Sequence, residues 1–182
     1  MDAGPSIRRF FINTLFDSTL TLLGVIVGSA FVVNPDLSVI LGTMITISFG
    51  LGVSSGVSVY QAESLEQDRE VQELEKAMLK SLDGTQVTKS AKKNILLNAS
   101  INLLTPFITC LLYSFPLLLA ITGFIGVKTG AILSIVIALV TLMLTGIIMG
   151  RNCRGNPLIK GIKMATLGGI TFLIGYIIQF LI

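Results

Sequence analysis

Two stretches of this chain carry almost no charge, and a dense charged segment separates them. From Ser18 to Ala62 the single acid or base, tyrosine aside, is Asp36; from Asn94 to Gly150 it is Lys128. Between them, Glu63 to Lys93 holds seven acidic and six basic residues. Uncharged apolar runs of this length do not stay in water as loops. A helix needs about 20 apolar residues to cross the hydrocarbon core of a bilayer, and both stretches have room for two. With 52% hydrophobic residues in the chain, an ordinary soluble domain is excluded. The sequence therefore reads as an all-α, polytopic membrane protein.

Five spans are expected, at about 13–33, 37–60, 94–120, 129–150 and 161–182. Strands of a barrel would alternate polar and apolar residues, and these segments do not. Asn34-Pro35-Asp36 reads as a tight hairpin. The proline cannot continue the first helix, and Asp36 or Ser38 can cap the second. The first apolar run has a basic lead but also Asp17, and it ends in Asn-Pro without a small-x-small cleavage site. It is expected to be a permanent span.

Of thirteen basic residues, all but Lys128 fall at the start of span 1, between spans 2 and 3, or between and beside spans 4 and 5. The positive-inside rule makes that face cytoplasmic. The expected placement is the cell membrane, N-terminus inside and C-terminus outside. The same sorting accounts for the net charge of +3, so no nucleic-acid partner is expected. Five spans do not divide into two inverted repeats, and a symmetric pathway would need a homodimer. Gly24-x-x-x-Gly28, Gly52-x-x-x-Gly56 and the series Gly161, Gly168, Gly175 suit close helix approach. They can serve packing within the subunit or a dimer seam.

There is no histidine, so the usual general base and the commonest metal ligand are missing. No Gly-x-Ser-x-Gly or Walker motif occurs either, and neither enzyme activity nor a resident cofactor is expected. Cys110 deep in span 3 and Cys153 in a loop are not expected to pair.

Three features are candidates for function. Asp17 stands near the start of span 1, and an acid in a span is costly unless it faces a cavity or a partner. The alternative is a carboxylate at the membrane interface or near a helix N-terminus. Glu63, Glu66, Glu70 and Glu73, spaced 3, 4 and 3, share one stripe of a helix that continues span 2 into the cytoplasm. Hard oxygen ligands of that kind suit divalent cations; the bland reading is a solvated face. Leu65, Val71, Leu74, Met78 and Leu82 form an opposing apolar side that needs a partner. Third, Asn94, Asn98, Asn102, Thr105, Thr109 and Tyr113 form a polar stripe in span 3. It should point inward, as helix glue or as the lining of a wet path, with Asn98 and Asn102 the candidate path residues.

In order and topology these features resemble the vacuolar iron transporter family. Asp17 to Gly28 is similar to the family's Asp-led first span. Val57-Ser58-Val59-Tyr60, followed by an acidic helix, is similar to the end of its second. Pro116-Leu117-Leu118 and Asn156-Pro157-Leu158-Ile159-Lys160-Gly161-Ile162-Lys163-Met164 extend the likeness over nearly the whole chain. The resemblance implies a five-span homodimer that moves Fe2+ and often Mn2+ against protons. Asp17 would lie on the path, and Glu66 and Glu73, with Glu63 and Glu70 beside them, would bind metal. The cation would be the transported substrate. The chain departs from the family where the second-span Met and Glu fall on Leu51 and Ser55, and where a later Glu falls on Lys76. The segment 61–93 is expected to be an acidic helix and a short turn, a reduced form of the family's cytoplasmic metal-binding domain. A reading from another class is a non-transporting membrane module whose acidic helix docks a cytoplasmic protein.

Overall fold

The computed structural model of the chain describes residues 4–32, 34–79, 86–121, 123, 125–151 and 156–181. Among them the regular structure is helical: α1 (Gly4–Ala30), α2 (Leu37–Met78), α3 (Gln86–Ile121), α4 (Val127–Arg151) and α5 (Pro157–Leu181). All five are long and apolar enough to cross a membrane. Two helices start well before the apolar pattern predicts, α1 at Gly4, nine residues early, and α3 at Gln86, eight residues early. Hydropathy marks where a helix is apolar, whereas arginine and lysine extend a helix readily into polar surroundings. The segment expected to be a short turn before span 3 is thus partly helix. The turn itself, Leu82 and Cys153 lie outside the described residues.

Asp36 caps α2, its carboxylate accepting from the Ser38 amide at 2.9 Å. From there α2 runs 42 residues unbroken. At 1.5 Å per residue that is roughly 63 Å, about twice the hydrocarbon thickness of a bilayer. It stops at Leu79, a left-handed residue with φ 49°.

The bundle is built around α1, which packs on each of the other four helices, while α2, α3, α4 and α5 contact one another in chain order. One face of α1 is left open between α2 and α5. Neighbours α2 and α3 are antiparallel, with Gly52 beside Leu103 and Gly56 beside Ala99. Likewise Gly146 meets Gly161, and Gly150 meets Pro157, where α4 turns back into α5. Helices α1 and α3 run in parallel and share the core, in which Leu22, Leu23, Ile26, Met44, Tyr113 and Leu117 are almost fully buried. Since α1, α3 and α5 begin at one end, Arg8, Arg9, Lys92, Lys93, Lys160 and Lys163 gather there. Lys128 starts α4 at the other end.

The glycines divide into two groups. A Cβ on Gly52 would stand 2.7 Å from the Leu103 carbonyl oxygen, and one on Gly161 would stand 2.8 Å from that of Met143. These glycines exist to let backbones touch. A Cβ on Gly24 or Gly28 would meet nothing within 4 Å. Their motif is not used within the subunit.

Candidate functional site

The open face of α1 carries a stripe at helical spacing: Arg9, Asn13, Asp17, Thr21, Gly24 and Gly28. All are exposed except Gly24, which is half-buried. Asp17 is thus on the outside of the single chain. Its carboxylate receives one long hydrogen bond, from Asn13 Nδ2 at 3.4 Å. Several other outward polar groups are self-contained. Thr21, Thr43, Thr46, Ser100 and Thr171 each donate to a carbonyl one turn back on their own helix, which hides a hydroxyl from apolar surroundings. A carboxylate has no such escape. Asp17 also lies eight residues beyond Arg9, roughly 12 Å along the helix, near the start of the apolar part of α1.

The polar stripe of α3 points inward from Asn98 onward, as its residue types demand; Asn94 is exposed. Its partners are on α1. Thr14 donates to Asn102 Oδ1 at 2.7 Å, Thr109 donates to Ser18 at 3.3 Å, and the hydroxyls of Thr19 and Tyr113 are 2.9 Å apart. Asn102 Nδ2 is also satisfied, on the Asn98 carbonyl at 2.9 Å. Along most of its length the stripe therefore joins helices. Asn98 is the exception: it is 1% exposed and its Oδ1 has no hydrogen-bond partner. Buried acceptors of that kind are uncommon and costly. Asn98 and Asn102 belong to the interior, whereas Asp17 is on the outer face, so one chain alone does not bring the three into a single site.

The glutamate stripe of α2 straddles a boundary. Glu66 and Glu73 are exposed, Glu70 is half-buried, and Glu63 is 7% exposed on the helix face that continues Gly52, Gly56 and Val59 inward. Glu63 Oε1 and Glu70 Oε2 are buried without a hydrogen-bond partner. Burial pushes the Glu63 carboxyl above the usual carboxylate range. The Glu66 carboxylate adds to this, the Arg9 guanidinium opposes it, and Glu70 adds again. Among the described residues, no three acidic or cysteine side chains come together closely enough to hold a metal ion. Within one chain the four glutamates offer pairs of ligands one turn apart, not a closed cage. The sequence pattern missed the singular position of Glu63. It also missed Thr14, Ser18 and Thr19 as partners, although their spacing of four and five residues was readable.

The raised Glu63 carboxyl has a consequence for stability. Folding disfavours its ionised form, so its contribution is intact at low pH and is lost as pH rises through the folded-state value. Glutamine mimics the protonated form. Glu63→Gln protein should melt above the wild type near pH 8, and the gain should vanish at acid pH. A melting curve for Glu63→Gln equal to or below the wild type at both pH values would contradict this burial effect.

No family model matches the chain. The sequence is similar to an uncharacterized protein, MJ0645, of Methanocaldococcus jannaschii. The two are 27% identical over 164 residues, which cover 88% of this chain and 82% of that protein.

Proposed function

We propose that the protein works as a homodimer in the cell membrane, exporting a divalent cation such as Fe2+ or Mn2+ from the cytoplasm in exchange for protons. The observation that supports this most is the outward stripe of α1. A bundle in lipid has no reason to present Asn13 and Asp17 to hydrocarbon beside two glycines that pack against nothing. A second copy related by a two-fold axis covers the stripe, seats Gly24 and Gly28, and brings two Asp17 carboxylates to one seam. Each carboxylate binds either a proton or part of a cation's shell, and this competition couples the two fluxes. The glutamates of α2, beyond the membrane by the length of that helix, collect the cation at the cytoplasmic mouth. Hard carboxylate oxygens suit Mn2+ and Fe2+.

Orientation follows from the basic end, which the positive-inside rule places in the cytoplasm. A cysteine introduced at Lys128 should react with an impermeant maleimide added outside cells, and one at Lys89 should not. The opposite labelling would overturn the topology.

The second reading, a module that docks a cytoplasmic protein on its acidic helix, draws on the exposure of Leu65, Leu74 and Met78. Among the described residues nothing covers these three side chains. Calorimetry distinguishes the two. Wild-type protein should bind Mn2+ weakly, and simultaneous Glu→Gln changes at Glu63, Glu66, Glu70 and Glu73 should abolish the heat. No Mn2+ binding by the wild type would favour the docking module.

A further inference from the structure

A cleft of about 750 Å³ opens at the basic end between α1, α4 and α5. Phe16, Met149, Met164 and Leu167 wall it with apolar surface, and Arg8 and Arg9 line it further toward the helix start. The distance from Arg9 to Phe16 is seven residues, roughly 10 Å of helix. Lys160 is one turn before Met164 on α5, and the two share a helical face. The cleft is therefore amphipathic along its length, cationic at the end of the bundle and apolar toward its middle. Its size is that of a small-molecule site.

We propose that this cleft binds one anionic phospholipid per subunit. The lipid phosphate lies against Arg8 and Arg9, and part of one acyl chain lies against Phe16, Met149, Met164 and Leu167. Two observations choose this occupant. The arginines supply bidentate donors for phosphate oxygens. The walls demand hydrocarbon, which an inorganic anion does not have. The inference rests on the membrane reading of the five helices; the cleft shares Arg9 and Asn13 with the α1 stripe, so the lipid lies beside the proposed dimer seam. Basic pockets between helices at the cytoplasmic side are the places where bilayers hold specific acidic lipids.

The test is native mass spectrometry of delipidated protein titrated with phosphatidylglycerol or phosphatidylcholine. One phosphatidylglycerol per subunit should be retained, with affinity about ten-fold above phosphatidylcholine. Arg8→Gln with Arg9→Gln should weaken phosphatidylglycerol more than phosphatidylcholine and so remove that preference. Met164→Trp with Leu167→Trp fills the walls and keeps the charges, and it should weaken both lipids. This pair decides the matter if the arginine variant does not fold. Equal affinity of the wild type for the two lipids would overturn the proposal. So would undiminished binding in the tryptophan variant, or displacement of phosphatidylglycerol by equimolar inorganic phosphate.

Discussion

Liposomes carrying the Asp17→Asn variant should show no more pH-driven Mn2+ flux than protein-free vesicles. Asparagine keeps the size and can still bond Asn13, but it neither titrates nor offers a negative charge to a cation. The substitution also leaves the fold intact, because Asp17 is exposed and its one side-chain hydrogen bond is long. It removes a charge from an apolar surface, so the variant should express and dimerise at least as well as the wild type. Loss of flux with retained dimer would locate the proton–metal competition at Asp17. Normal flux in the variant would remove Asp17 from the mechanism, and with it the reason for placing a pathway on the α1 stripe.

The second large effect is on assembly. Gly24→Leu with Gly28→Leu should leave the subunit folded, since a Cβ at either position meets nothing within 4 Å. In the dimer the same side chains would hold the two α1 helices apart. The dissociation constant, measured by single-molecule photobleaching in nanodiscs or by mass in mild detergent, should rise by at least about ten-fold. Gly52→Leu provides the contrast. Its side chain would strike the Leu103 carbonyl and the Phe107 ring, and overpacking of this kind costs about 1–3 kcal/mol or more. It should lower the melting temperature. If Gly24→Leu with Gly28→Leu lowers the melting temperature while the dimer persists, the stripe is packed in a way this account does not contain.

Much of the fold is legible in the sequence because its strongest signals are one-dimensional. Charge depletion locates five apolar helices, Asn34-Pro35-Asp36 locates the first hairpin with its Asp36 cap, and the residue types of the α3 stripe dictate that Asn98 through Tyr113 face inward. Helix starts are less legible, because Arg8, Arg9 and Lys92 do not oppose helix formation; they oppose only lipid. The division of the glycine motifs was not readable at all. Gly24-x-x-x-Gly28 and Gly52-x-x-x-Gly56 are the same pattern, and what each touches depends on which neighbour the bundle places beside it. The same limit applies to the glutamates. Spacing puts Glu63 and Glu66 on one stripe, but the neighbouring helices cover one edge of that stripe and not the other. The cleft between α1, α4 and α5 has no sequence signature, since it draws on residues more than a hundred positions apart, such as Phe16 and Met149.

The central claim is that two copies of this chain exchange a divalent cation for protons. Its most direct test is wild-type protein in liposomes with an imposed pH gradient, a metal-sensitive dye and a pH-sensitive dye read together. The account predicts that Mn2+ or Fe2+ accumulates on the acidic side of the membrane as protons leave that side, and that both signals collapse when the gradient is dissipated. Metal movement at the level of protein-free liposomes for Fe2+, Mn2+, Co2+ and Zn2+ alike would contradict it.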